Sequence, residues 1–298
     1  MRTHLTSRQL GIGLAVLAAF GFSFKAIFVK LAYQSAEVDA VTLLSLRMIF
    51  SLPLFLLMGV AYLRNGPRLG PKDWLLLVLL GLSGYYGASI LDFMGLEYIS
   101  AGLERVILFT YPTITILIGL LFLGRPFSPR LILALGLCYA GISLVFTSDK
   151  QISGGSAAPL LGAALVFGSA VLYAGYSAFS EVSIKKLGAA RFSVLALVVS
   201  ILAAQFHFLA VNPLSDLVQP LPVYAYSAAM ALFSTAMPIF LQSAAVQRIG
   251  ADRTVLVGML GPIMTIFFSW LILSEPITWV QLSGTGLVLV GVYQVRRA

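Results

Sequence analysis

The chain has 298 residues, of which 59% are hydrophobic and 10% charged, and its mean hydropathy is +0.98. A soluble domain carries about 25% charged residues, so a water-soluble globule is excluded, and the apolar content excludes intrinsic disorder as well. The net charge of +8, from 19 Lys and Arg against 11 Asp and Glu, implies no nucleic-acid partner, because no soluble fold is available to display it as a basic face.

Crossing the hydrocarbon core takes about 20 helical residues. The chain offers ten such segments in order, at about 10–31, 41–63, 74–91, 103–123, 131–146, 159–178, 192–211, 223–246, 254–273 and 279–295. The connections are short, which leaves no room for a separate soluble domain. The first segment follows Arg2 and Arg8 and has the outline of a signal peptide. Nine spans follow it without a clear small-residue cleavage site, so it reads as the first helix. Cys138 is the single cysteine, which permits no intrachain disulfide.

Basic residues concentrate in cytoplasmic connections, and that rule orients the segments. With the N-terminus in the cytoplasm, fourteen basic residues fall on that side: Arg2, Arg8, Arg64, Arg68, Lys72, Arg125, Arg130, Lys185, Lys186, Arg191, Arg248, Arg253, Arg296 and Arg297. The opposite loops hold Lys150, while Glu37, Asp39, Asp149, Asp216 and Glu275 show the reverse bias. The expectation is an integral protein of a bacterial inner membrane, all-α and polytopic, with ten transmembrane helices and both termini cytoplasmic.

Sliding the chain against itself by 150 residues aligns 81–143 with 231–293 without gaps, and 13 of these 63 positions are identical. Pro112 falls on Pro262, Pro126 on Pro276, Gly136 on Gly286 and Gly141 on Gly291. A repeat of five helices enters the membrane from opposite sides in its two copies, so residues 1–148 and 149–298 read as two inverted five-helix repeats. Carriers that work by alternating access are built this way.

The stretch LEYISAGLERVILFTYPTITILIGLLFLGRPFSPRLILALGLCYAGISLVF and its partner at 251–291 resemble the two EamA-type repeats of the drug/metabolite transporter superfamily. The shared pattern is an Ala-containing stretch before the fourth helix, a mid-helix Pro, a short polar turn with Pro, and a Gly-rich fifth helix. In the second half that turn is Ser274-Glu275-Pro276, whereas Arg125 stands at the usual acidic position of the first half. Glu104-Arg105 ahead of Thr110-Tyr111-Pro112 is similar to one bacterial subgroup. The resemblance implies a central cavity lined by both halves, a small-molecule substrate, a lipid environment and no cofactor. It leaves the substrate open among amino acids, other metabolites and toxic compounds, and it leaves the oligomeric state open.

Charges inside a span are costly and face a cavity or a partner. Lys25 and Arg47 each lie six residues from an outer helix end, roughly 9 Å deep at about 1.5 Å per residue. Asp92, Glu104 and Arg105 fall at outer helix ends, so all five can share one layer, either as a binding or coupling site or as a structural ion-pair network. Tyr85, Ser89 and Asp92 share one face of the third helix, and Thr235, Pro238 and Gln242 one face of the eighth. These stripes read as cavity walls or as interhelical hydrogen bonding. Tyr173, Tyr176 and Ser180 on the sixth helix suit stacking on a planar solute or ordinary packing. Pro112 and Pro262 remove helix hydrogen bonds and read as hinges or static kinks. His207 beside Gln205 reads as a proton carrier or a packing residue, and Trp74 and Trp279 as interfacial anchors.

No GxxxxGK[ST], HExxH or Cys/His cluster occurs, so neither a nucleotide-driven motor nor a metal site is expected. The leading expectation is a secondary active transporter, an exporter of small metabolites such as amino acids. Uptake or exchange of a small organic solute is the alternative. An intramembrane enzyme using Glu104, Asp92 or Lys25 is a third class, disfavoured by the absence of paired carboxylates or a nucleophile–base spacing.

Overall fold

The structure is a computed structural model and describes residues 7–64, 69–124, 129–152 and 158–296. Among the sequence features singled out above, Arg2, Arg68, Arg125, Pro126 and Arg297 lie outside the described residues.

Among the described residues ten helices follow one another: α1 Ser7–Ser35, α2 Ala40–Arg64, α3 Pro71–Leu96, α4 Ala101–Phe122, α5 Pro129–Ile152, α6 Ala158–Leu187, α7 Ala189–Val211, α8 Leu221–Gly250, α9 over residues 251–273, and α10 Trp279–Arg296. Among the described residues nine are long and apolar enough to cross a membrane. The tenth, α10, carries Gln281, Ser283, Gly284, Thr285 and Gly286 in its first turns and packs along α5. Short corners separate the helices. At Gly250 the backbone takes φ of +83°, a region that costs a side chain with a Cβ, and this corner turns α8 into α9.

The packing is two-fold in pattern. α1 lies on α8 as α6 lies on α3, and α4 on α6 as α9 on α1. α2 pairs with α7, and α5 with α10, each with its own counterpart. The α5–α10 seam is close because glycines line it: a Cβ on Gly141 would lie 2.8 Å from Val288 Cγ2, and one on Gly291 would lie 2.8 Å from the Ala134 carbonyl oxygen. Small residues let helix backbones approach in lipid, where apolar transfer no longer drives association. The offset of 150 residues recurs in backbone detail. α3 holds a π-helical stretch at Gly81–Gly87 and α8 one at Leu232–Ala236. α4 ends at Gly124 with φ of +63°, and α9 ends at Ser274 with φ of +58°.

Large apolar side chains cover the outside of the bundle: Leu57 is 83% exposed, Phe122 71% and Phe206 72%. Such a surface is stable against hydrocarbon and unstable against water. Polar and charged side chains are instead drawn inward, Arg47, Asp92 and Glu104 among them.

Candidate functional site

The charged layer is built around an interruption in α1. The helix Ser7–Ser23 stops, Phe24 makes a turn, and Lys25 begins the next segment, Lys25–Ser35. Ser23 holds the break in place. Its hydroxyl donates to the carbonyls of Ala19 (2.7 Å) and Gly261 (3.2 Å), and its own carbonyl accepts from Thr265 Oγ1 at 3.2 Å. The Lys25 ammonium lies 2.6 Å from Asp92 Oδ2 on α3 and 3.1 Å from Glu104 Oε1 on α4. Both carboxylates are buried, Glu104 completely, and among the described residues no amide, hydroxyl or guanidinium donor shares them. Lys25 therefore ties three helices of the first half together.

Arg47 on α2 crosses to the second half. Its Nε and Nη2 donate to Thr235 Oγ1 on α8 at 3.2 and 3.0 Å, and its guanidinium carbon sits 5.4 Å from the centre of the Phe93 ring. Nη1 is buried without a hydrogen-bond partner. Thr235 is presented by the π-helical stretch of α8, where its hydroxyl donates to the Met230 carbonyl five residues back at 3.0 Å. π-Turns recur at functional positions because they re-aim side chains. Neither of these two turns was foreseen from the sequence; Gly81, Gly84 and Gly87 in α3 were the available signal.

A cavity of about 540 Å³ lies beside this layer. Helices of both halves line it: α1 to α4 from the first, α6 to α9 from the second. Of the residues singled out in the sequence, Lys25, Arg47, Tyr85, Ser89, Asp92, Arg105, Tyr173, Thr235 and Gln242 line it. Glu104 lies behind Lys25 and Asp92. Tyr176 stands behind Tyr85, donating from its hydroxyl to the Tyr85 hydroxyl at 3.2 Å. Pro238 packs against Gly21 and is not part of the wall, and Ser180 donates to the Ser177 carbonyl at 3.3 Å within its own helix. His207 Nδ1 lies 2.6 Å from the Tyr86 hydroxyl, also off the cavity. Tyr111, known from the sequence only as part of the Thr110-Tyr111-Pro112 string, lines it too, its ring centre 4.8 Å from that of Tyr173 with the two rings edge to face. The offset of 150 pairs Lys25 with Gly175, Arg47 with Leu197, Asp92 with Gln242, Glu104 with Thr254 and Arg105 with Val255. The two halves share a backbone plan, but the ionic layer belongs to the first alone.

The cavity reaches the surface on the face that carries the N-terminus of α1, where Val246 and Gln247 in its wall are exposed. The opposite face is closed by polar contacts between the halves. The Asn212 amide donates to Asp39 Oδ2 at 3.1 Å, Ser148 and Thr278 hydroxyls lie 2.6 Å apart, and the Ala101 N–H donates to Glu275 Oε1 at 3.1 Å. Glu275 thereby satisfies a free amide at the start of α4, favoured also by the helix dipole. Burial pushes its carboxyl above the usual carboxylate range, opposed by the Ala101 and Gly102 amides and by Lys30.

Pro112 and Pro262 do not interrupt continuous helices. α4 breaks at Phe109–Thr110 and α9 at Met259. Each proline then falls in the first turn of the segment that follows, Tyr111–Phe122 or Leu260–Leu273, where its missing N–H would have had no intrahelical partner.

The EamA-like transporter family matches residues 9–147 and, a second time, residues 160–297. The chain is 29% identical to the uncharacterized transporter YcbK of Bacillus subtilis (strain 168), over 89% of this chain and 86% of that protein. It is 24% identical to the uncharacterized transporter sll1319 of Synechocystis sp., over 97% and 93% of the two chains. A solved crystal structure, titled only as that of a protein, superposes with a TM-score of 0.67 over 97% of this chain and 96% of that one, at 14% identity. That likeness is one of fold.

Proposed function

The chain belongs to the EamA-like transporter family, and from that membership we propose a secondary active transporter that exports small metabolites such as amino acids. It is an integral membrane protein with a small-molecule substrate. The single observation that carries the mechanism is the cavity: both halves line it, its exposed wall residues Val246 and Gln247 lie on one face, and polar contacts join the halves on the other. Such a state is one end of an alternating-access cycle, in which the two halves rock around a fixed site. In this reading residues 1–148 and 149–298 are the moving repeats, inverted with respect to one another.

The open face carries Arg8, Lys72, Lys186 and Arg248 among its basic residues, and the positive-inside rule makes it cytoplasmic. The solute then enters from the cytoplasm of a bacterial cell and leaves through the inner membrane. Lys25, Asp92 and Glu104 hold the layer that closes the cavity on the far side. Arg47, Arg105, Ser89, Thr235 and Gln242 supply polar contacts to the solute, and Tyr85 and Tyr173 supply its aromatic wall, with Tyr176 backing Tyr85. The interrupted helices before Pro112 and Pro262 are the places where α4 and α9 would bend.

Purified protein in liposomes, preloaded with an unlabelled mixture of amino acids, tests the reading by counterflow of radiolabelled ones. Saturable accumulation of label above that of protein-free liposomes is expected. Flux that rises linearly with concentration would indicate a channel. Absence of flux for amino acids and for a panel of small metabolites, with the protein folded by circular dichroism, would sink the transport reading.

A further inference from the structure

The ions at the cavity do not balance, and the imbalance bears on the class of solute. Lys25, Arg47 and Arg105 face it with positive charge, and only Asp92 and, behind it, Glu104 carry negative charge. Both carboxylates lie against the same ammonium. Among the described residues, neither guanidinium has a carboxylate within salt-bridge distance. Each guanidinium also has a buried N–H without an acceptor, Nη1 of Arg47 and Nε of Arg105. Arg47 is in the cavity wall, 7% exposed, and is held in place by Thr235 and the Phe93 ring, so the guanidinium is fixed before any solute arrives. A buried charged donor left unpaired is costly, and a ligand oxygen would remove that cost. The guanidinium fork suits a planar oxyanion above all.

Resting on the reading of this cavity as the transport site, we propose that it holds an anion subsite at Arg47, supported by Arg105, and that the solute carries a carboxylate on a flat apolar body. The carboxylate brings the layer to neutrality and takes the free N–H of Arg47. The body lies in the aromatic part of the cavity, among Phe22, Tyr85, Tyr111 and Tyr173. A solute whose only charge is positive adds to the excess positive charge of the layer and is disfavoured. The second half, with Leu197 and Val255 at the equivalent positions, offers no comparable group, so the solute binds in one orientation.

Benzoate, benzamide and benzylammonium have nearly the same shape and differ in charge, which makes them suitable probes of the whole protein in nanodiscs. Benzoate at millimolar concentration should raise the unfolding temperature in a saturable manner, and the other two should not. Arg47→Gln should weaken half-saturation by benzoate about tenfold or more, with Arg47→Lys in between. Should Arg47→Gln fail to fold, Arg105→Gln provides the same test with a smaller loss. The proposal is overturned by stabilisation from benzylammonium or benzamide equal to that from benzoate, by an undiminished benzoate effect in the Arg variants, or by no effect of benzoate. Counterflow separates this from the transport reading. Benzoate binding without flux of any solute removes the transporter and leaves the anion subsite, whereas saturable flux of a cationic solute does the reverse.

Discussion

At the scale of residues, Lys25 is the group whose removal has the clearest consequence. Lys25→Ala leaves Asp92 and Glu104 facing each other in a buried place without a counter-ion. Breaking a buried ion pair from one side costs about 3–5 kcal/mol, so the variant should unfold well below the wild type in a thermal melt in detergent. Adding Glu104→Gln should recover part of that loss, since it removes one of the two stranded charges. A lysine variant that melts like the wild type but has lost flux would assign Lys25 to the solute instead of to the scaffold. The sequence singled out these residues because charge in a span is rare. It did not say which carboxylate meets which cation, since Asp92 and Glu104 reach Lys25 from two other helices. Nor did it mark Tyr111 as a cavity residue, because its place beside Tyr173 on α6 depends on packing between two helices.

At the scale of elements, the α5–α10 seam and the start of α4 give two contrasting tests. A methyl group on Gly141 would press into the backbone and side chains of α10, and overpacking of a tight contact costs about 1–3 kcal/mol. Gly136, on the same helix, has nothing within 4 Å of such a methyl. Gly141→Ala should therefore lower the melting temperature, and Gly136→Ala should leave it unchanged or raise it slightly, through the better helix propensity of Ala. At α4, Glu275 caps the first amide from across the interface between the halves. Burial raises its carboxyl above 4.5, so the folded protein holds that proton more tightly than the unfolded chain. The resulting stabilisation is present below pH 4.5 and lost as pH rises through the folded value. Melting curves of the wild type and Glu275→Gln across pH should accordingly diverge above pH 4.5, with the wild type losing stability relative to the variant, whose side chain keeps an acceptor oxygen for Ala101.

At the scale of the whole molecule, the face opposite the cavity mouth must open if the solute is to leave there. Asp39 before α2 and Asn212 after α7 meet across the halves. In a Cys138→Ala background, Asp39→Cys with Asn212→Cys can be joined by a short bifunctional thiol reagent. Cross-linking should stop counterflow, and a cleavable linker should allow its recovery on reduction. Full flux through completely cross-linked protein would show that this face stays shut and that the solute takes another route.

Sequence alone determined the solvent, the helices and the duplication, for physical reasons that act locally. Lipid demands long apolar helices, and proline and glycine at a fixed offset of 150 residues betray a copied backbone. Even the turn containing Glu275 could be recognised from three consecutive residues. What only the tertiary structure decided is which polar groups meet. The breaks at Phe24, Phe109–Thr110 and Met259, the π-helical turns of α3 and α8, and the crossing of α2 by α8 are set by packing between helices far apart in the chain. Those contacts turn five scattered charges into a clamp on Lys25 and two under-paired guanidiniums beside a cavity. Most of the charge excess visible at the outset lies in the connections between helices; the part that concerns the cavity is the small remainder that three dimensions leave unbalanced.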